Sequence, residues 1–118
     1  MKQFNRKQMN YLQKVGYEFA ISNSKQYARL FISPAGFTAL CLDICNRVYD
    51  PPVTPTPFDL SAWSIATVCI DYVQNEVTVA ADLKGGHNSI TQQAIQMLTN
   101  PDDPTWAYFG LGGDDDVV

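Results

Sequence analysis

The hydrophobic positions near the amino terminus recur with the period of an α-helix. One helical face collects the apolar residues Phe4, Tyr11, Leu12 and Val15. The cationic residues lie away from that face: Lys2, Arg6, Lys7 and Lys14. Gly16 is well placed to end the helix. The pattern therefore predicts an amphipathic first helix with a cationic outer surface.

From residue 17 the pattern changes to the alternation that is typical of β-strands. Residues 17–21 alternate with period two, and residues 27–32 form another apolar and aromatic run. The residues between them, 22–25, are Ser, Asn, Ser and Lys, which favour a turn. Together these segments predict a β-hairpin.

A second helix is predicted directly after the hairpin. Ser33 is a typical N-cap residue, and Pro34 suits the first helical position. The apolar face of this helix consists of Phe37, Leu40, Cys41, Ile44, Cys45 and Val48. On the other side, Asp43 and Arg47 have the i,i+4 spacing of an ion pair. We therefore expect a helix over residues 34–49.

A proline-rich connection, residues 50–58, divides the chain. Its four prolines exclude a helix or a central strand and predict a stiff extended connection. Because 118 residues suit one compact core, the connection is expected to lie inside a single domain. We predict one domain over residues 1–111 and an acidic tail over residues 112–118.

The region after the connection allows two interpretations. Residues 64–73 and 76–83 are rich in β-branched residues, which favours a second hairpin. Polar residues also recur there at helical spacing, after a possible Thr56 cap and Pro57 start. Both interpretations remain open for residues 57–74. A strand is preferred because β-branched residues lose rotamer freedom in helices.

A final helix is predicted over residues 89–99. Ser89 and Gln92 match a capping box, and the apolar residues that follow form one stripe: Ile90, Ala94, Met97 and Leu98. The order of elements then predicts the α+β class. We expect a small single domain with an antiparallel sheet of about four strands, in two hairpins, packed with about three helices.

Charge is distributed unevenly along the chain. Residues 1–49 hold seven basic and two acidic residues, a net charge of +5. Residues 50–118 hold one basic and ten acidic residues, a net charge of -9, so the chain carries -4. Such a polar molecule steers charged partners to opposite surfaces, unless folding interleaves the two parts and their fields cancel.

The residues suited to catalysis are few. Cys41, Cys45 and Cys69 lie in apolar stretches and lack the spacing of a disulfide scaffold or a zinc site, so we interpret them as small buried hydrophobes. His87 is the one histidine, and it would have to approach a partly exposed thiol to form a nucleophilic pair. The usual phosphate-binding, nucleophile-elbow and metalloprotease motifs are missing. The sequence therefore predicts a protein that is no enzyme and needs no cofactor or metal.

The amino-terminal residues lack the apolar core of a signal peptide, and no run of 18 apolar residues occurs. We therefore expect a soluble, cytoplasmic protein that does not bind membranes.

Aromatic and acidic residues are combined near the carboxyl end. The aromatic residues are Trp106, Tyr108 and Phe109, and the acidic residues are Asp102, Asp103, Asp114, Asp115 and Asp116. Rigid aromatic anchors with a charged rim are typical of a protein-binding hot spot. The alternative is that the aromatic residues close the core and that the tail is solvated.

These observations favour a small acidic module that binds a protein partner with a basic surface, such as one that handles nucleic acid. In size and charge the chain is similar to small inhibitors from phages and mobile elements, including anti-CRISPR and anti-restriction proteins.

Two other functions remain open. The first is nucleic-acid binding through the basic amino-terminal half, with Tyr17 or Tyr27 stacking on bases and these basic residues on phosphates: Lys2, Arg6, Lys7, Lys14, Lys25 and Arg29. The sequence pI of about 4.6 weighs against it. The second is a self-assembling structural protein, a homo-oligomer that pairs its oppositely charged halves.

Overall fold

The structure is a computed structural model, which describes residues 4–15, 17–21, 27–71, 74, 76–79 and 88–112. The elements follow one another as α1 (Arg6–Lys14), β1 (Tyr17–Ile21), β2 (Tyr27–Ile32), α2 (Pro34–Arg47), α3 (Pro57–Trp63), β3 (Val68–Asp71), β4 (Glu76–Val79) and α4 (Asn88–Thr99). A 3₁₀ helix, Pro104–Phe109, comes last. This order confirms the predicted α+β class.

The strands pair in the order β1-β2-β3-β4, and every pair is antiparallel. Alternation along the strands gives the sheet an inner and an outer face. The inner face is buried and carries Leu30, Ile32, Val68 and Ile70. On the outer face, Phe31 lies opposite Cys69, which lies opposite Thr78. The predicted hairpins are therefore joined into one sheet by the pairing of β2 with β3.

Helical side chains cover the inner face of the sheet. They share one core cluster with the inward-facing strand residues, and the largest fully buried helical members are Leu12, Phe37, Leu40, Ile44, Trp63, Ile90, Met97, Leu98 and Trp106. Helix α2 is central, since it contacts both α3 and α4. The result is a two-layer arrangement of helices on a sheet.

The helix starts are determined by local hydrogen bonds. The hydroxyl of Ser33 accepts from the backbone N–H of Gly36 at 3.1 Å, which confirms the cap predicted for α2. Helix α3 begins with a capping box, in which Thr56 Oγ1 accepts from the N–H of Asp59 and Asp59 Oδ2 accepts from the N–H of Thr56.

The preference for a strand over residues 57–74 is partly wrong, because the region contains both structures. Residues 57–63 form α3, since the Thr56 cap and Pro57 start a helix there. The strand follows at residues 68–71, where the β-branched residues are concentrated. The proline-rich connection is therefore shorter than expected and leads directly into α3. Its Asp50–Pro51 peptide bond is cis.

Other details of the helices also differ from the prediction. The described residues form four α-helices and a 3₁₀ helix rather than about three helices. Helix α4 begins at Asn88, so Ser89 lies inside it and is not the cap residue.

No helix in the described part of the chain is both long enough and apolar enough to cross a membrane. All but one residue of the predicted tail, 112–118, lies outside the described residues.

Candidate protein-binding surface

Residues 101–111, which we call the C-terminal segment, are held at both ends by hydrogen bonds from one side chain of α1. Gln8 is fully buried, and its Nε2 donates to the carbonyl oxygens of Pro101, at 2.8 Å, and Leu111, at 3.0 Å. Its Oε1 accepts from the backbone N–H of Asn5 at 3.0 Å, which completes the capping box of α1. Both amide hydrogens of Gln8 are therefore used to hold the two ends of the segment.

Aromatic packing holds the middle of the C-terminal segment. The Trp106 ring makes edge-to-face contacts with Phe4, Tyr11 and Phe109, at centroid distances of 5.8, 6.1 and 6.1 Å. Tyr11 also packs on Phe109 at 5.3 Å. The indole Nε1 of Trp106 donates to the carbonyl oxygen of Met97 at 3.0 Å, so the buried ring has a hydrogen-bond partner.

The structure separates the three aromatic residues that were predicted as anchors. Trp106 is 0% exposed and Phe109 is 7% exposed, so both belong to the core. Tyr108 is 59% exposed. The reason is the 3₁₀ helix, in which residues i and i+3 lie on the same side, so Trp106 and Phe109 both point inward. Of the three aromatic residues predicted as anchors, Tyr108 is therefore the one that is exposed at the surface.

The predicted acidic residues have different positions. Asp103 is the N-cap of the 3₁₀ helix, and its Oδ1 accepts from the N–H of Thr105 at 2.9 Å. Asp102 is exposed at the start of the segment. Asp114, Asp115 and Asp116 lie outside the described residues, and their predicted role stays a prediction. Asp102 is thus the exposed acidic residue that accompanies Tyr108 within the segment.

The charged amino-terminal part lies beside the acidic carboxyl-terminal part. The inner face of α1 packs on the C-terminal segment, whereas Arg6, Lys7 and Lys14 are exposed on its outer side. Arg29 of β2 contacts Asp71 of β3 at 3.6 Å. Folding therefore interleaves the two parts of the chain, which reduces the separation of charge expected from sequence.

The structure describes some of the residues that were predicted to contact nucleic acid. Arg6, Lys7, Lys14 and Arg29 are exposed to different degrees on α1 and β2, whereas Lys2 and Lys25 lie outside the described residues. The backbones of Tyr17 and Tyr27 lie in β1 and β2, and the positions of their side chains are not described.

Asp43 and Arg47, predicted as an ion pair, are each engaged with an aromatic residue. Asp43 Oδ2 accepts a hydrogen bond from the phenolic hydroxyl of Tyr11. Arg47 Cζ lies 5.4 Å from the centroid of the Phe109 ring, a cation–π distance. Burial, together with the bond to Asp43, raises the pKa of Tyr11 far above its ordinary value. These contacts add α2 to the support of the C-terminal segment.

The cysteines differ in their surroundings. Cys41 and Cys45 are buried in α2, and burial raises the pKa of both thiols. Cys69 is only half-buried, because it lies on the outer face of β3 between the inward-facing Val68 and Ile70. The interpretation of all three as buried hydrophobes is therefore wrong for Cys69. His87 lies outside the described residues.

The sequence did not reveal a second exposed apolar region. Phe58, Leu60 and Ile65, which we call the α3 surface, are 66%, 38% and 63% exposed. An open groove of about 690 Å³ runs along α2 and reaches Ser64, which precedes Ile65. Its lining residues are Ser33, Pro34, Ala35, Thr38, Ala39, Leu42 and Ser64. None of these described lining residues is charged. Because these lining residues and the three residues of the α3 surface are all uncharged, neither feature indicates the charge of a partner.

Among the described residues, no group of three or more His, Cys, Asp or Glu side chains is arranged to hold a metal ion. Comparison with protein-family models, with curated proteins and with solved structures finds no match. The indications of function therefore come from the chemistry of the surface itself.

Proposed function

We propose that the protein is a non-enzymatic protein-binding module that acts in the cytoplasm as an inhibitor, of the kind carried by phages and mobile elements against CRISPR or restriction systems. Its partner is a host protein with a basic surface that handles nucleic acid. The observation that carries the proposal is the exposure of Tyr108 on a segment whose neighbouring residues are fixed in the core.

An exposed tyrosine on a fixed backbone suits protein recognition. Tyrosine is enriched at binding hot spots, because its ring buries a large apolar area while its hydroxyl remains hydrated in the free protein. Trp106 and Phe109 anchor the backbone on both sides of Tyr108. Little conformational freedom therefore has to be lost when Tyr108 enters a pocket of the partner.

The acidic residues indicate the charge of the partner. Asp102 is exposed in the same segment as Tyr108, and Asp114, Asp115 and Asp116 follow it along the chain. Acidic groups around an aromatic anchor favour a partner rich in Arg and Lys and speed up its association. A guanidinium group can also stack on the Tyr108 ring. A basic surface that normally binds nucleic acid has this chemistry.

The state of the buried cysteines supports a non-catalytic role. A cysteine nucleophile needs a thiolate, and the pKa of Cys41 and of Cys45 is raised rather than lowered. Neither thiol is therefore prepared for nucleophilic attack.

The proposal is tested by capture from a native lysate with three forms of the chain. These are the unchanged protein, Tyr108→Ala, and Phe58→Ala as a matched control, since Phe58 is an exposed aromatic residue on the α3 surface. We expect a basic protein that is retained by the first and third forms and lost by the second. Loss with Phe58→Ala instead would place the interface on the α3 surface. Recovery that disappears after nuclease treatment would favour the nucleic-acid alternative.

The captured protein is then purified and titrated. Tyr108→Ala should weaken binding about 30-fold, which corresponds to about 2 kcal/mol for a hot-spot residue. Asp102→Asn should mainly slow association and reduce its dependence on salt. Equal affinities for the unchanged chain and Tyr108→Ala would contradict the proposal.

A further inference from the structure

We propose that Gln8 is the positioning residue of the C-terminal segment, so that one side chain of α1 determines where Tyr108 is presented. The claim that Gln8 affects recognition of a partner rests on the proposed function. The claim that Gln8 positions the C-terminal segment does not, because it follows from contacts within the chain.

The geometry makes Gln8 a common attachment point for both ends of the segment. The carbonyl oxygens of Pro101 and Leu111 both accept from Nε2 of Gln8. Because both oxygens lie within hydrogen-bonding distance of one nitrogen, the two ends of the segment must converge there. Tyr108 lies in the stretch that this convergence closes. A change at Gln8 is therefore transmitted to the backbone that carries Tyr108.

The exit from the 3₁₀ helix depends particularly on this attachment. After Phe109 the chain turns through Gly110, whose φ of 70° is left-handed and suits glycine. The N–H of Leu111 then donates back to the carbonyl of Trp106 at 3.2 Å. Gln8 holds the same residue, Leu111, by its carbonyl oxygen. Without the amide hydrogens of Gln8, that oxygen and the oxygen of Pro101 would lose their partner, which destabilises this turn.

Two substitutions separate this role from the role of Gln8 in the start of α1. Gln8→Glu keeps an oxygen that can accept from Asn5 N–H, as in a standard capping box, but it cannot donate to both carbonyl oxygens, because a carboxyl group carries one hydrogen when protonated and none when ionised. Asn5→Ala removes the oxygen that accepts from Gln8 N–H, but leaves the Gln8 amide intact. The first variant tests the attachment of the segment, and the second is its matched control.

The experiment is amide hydrogen exchange of the full chain, followed residue by residue by NMR. In Gln8→Glu we expect the N–H groups of Gly110 and Leu111 to exchange about tenfold faster, while Val48 N–H at the end of α2 is unchanged. Asn5→Ala should leave Gly110 and Leu111 as they are. Unchanged exchange at both residues in Gln8→Glu would overturn the proposal.

If Gln8 only stabilised the domain as a whole, the exchange experiment would give a different result. Gln8→Glu would then accelerate exchange at Val48 as much as at Leu111, because the whole domain would open, and that result would also overturn the proposal. If Gln8→Glu does not fold, Gln8→Met removes the same donors without a buried charge, and the same comparison is made with it.

The last measurement separates this inference from the proposed function. A nona-arginine peptide, as a probe for a basic partner, is titrated into the unchanged chain and into Gln8→Met, which leaves the net charge unchanged, while the Tyr108 signals are observed. Weaker binding to the variant, together with faster exchange at Leu111, supports both proposals. No shift of Tyr108 in the unchanged chain counts against a basic partner, whereas faster exchange at Leu111 would still support the positioning role.

Discussion

Tyr11 on α1 donates its phenolic hydrogen to Oδ2 of Asp43 on α2. The same Tyr11 ring packs on Trp106 and Phe109 of the C-terminal segment. The Tyr11 side chain therefore connects α1 with α2 and with the 3₁₀ helix of the C-terminal segment. Because the phenol is the donor, this connection requires that Tyr11 keeps its proton.

Replacement of Tyr11 should make this requirement measurable. Tyr11→Phe should lower the free energy of unfolding by about 1–3 kcal/mol, since the partly buried Asp43 carboxylate loses its donor. Because folding raises the pKa of Tyr11, the unfolded chain loses this proton first, and stability falls as the pH rises above about 10. Urea unfolding from about pH 8 to about pH 11 should show a steeper decline for the unchanged protein than for Tyr11→Phe. Parallel declines would contradict the assignment.

Trp106 and Tyr108 should differ in their effect on stability. Trp106→Ala should cost about 3–5 kcal/mol, because it removes a fully buried ring and leaves a cavity in the aromatic cluster. Tyr108→Ala should change stability by about 0.5 kcal/mol or less, as is usual for an exposed residue. Denaturant unfolding of both variants provides the comparison. A small loss in Trp106→Ala would mean that the C-terminal segment does not contribute to the core.

The three thiols should react at different rates. A neutral thiol reagent such as iodoacetamide is expected to label Cys69 first, because Cys69 lies on the outer face of the sheet. Cys41 and Cys45 should react only as fast as the helix opens, since both are buried and burial raises their pKa. Cys69→Ser should abolish the fast phase. A fast phase that persists in this variant would place an accessible thiol on α2.

The cationic side of α1 should not bind nucleic acid tightly. Arg6, Lys7 and Lys14 are exposed, but they lie on a helix that packs beside the acidic C-terminal segment. In fluorescence anisotropy at low ionic strength, a labelled duplex should remain unbound at micromolar protein concentrations. Tight binding that weakens steeply with salt, and is lost in the double variant Lys7→Gln and Lys14→Gln, would instead support the nucleic-acid alternative.

Several elements could be predicted from the sequence because their causes are local. Ser33 and Pro34 mark the start of α2 through capping chemistry that needs no distant residue. The alternation in residues 17–21 likewise predicts a strand from local pattern alone, and β1 has these bounds. The boundary between α3 and β3 was harder to predict, because the capping signal at Thr56 and the β-branched residues beyond Thr67 are close together and favour different structures.

The arrangement of the candidate surface could not be predicted to the same extent. From composition, Trp106, Tyr108 and Phe109 form one group. The 3₁₀ helix has three residues per turn, so it places Trp106 and Phe109 on the buried side and Tyr108 on the exposed side. One signal for the support of this segment was present in the sequence. Gln8 lies four residues after Phe4 and four before Leu12, so it falls within the apolar stripe of α1. A polar residue at such a position needs a hydrogen-bond partner, but the identity of that partner depends on the fold.

The attachment of the C-terminal segment to α1 also affects the order in which the protein folds. The bonds from Gln8 to Pro101 and Leu111 span 93 and 103 residues of the chain. Contacts of such separation form late, because a long loop must close first. During synthesis on the ribosome, α1 emerges before residues 101–111, so the contacts of Tyr11 with Trp106 and Phe109 cannot form until that segment has also emerged. Until then the growing chain lacks the rings that cover this side of α1, and a chaperone that binds apolar helices would find a site there.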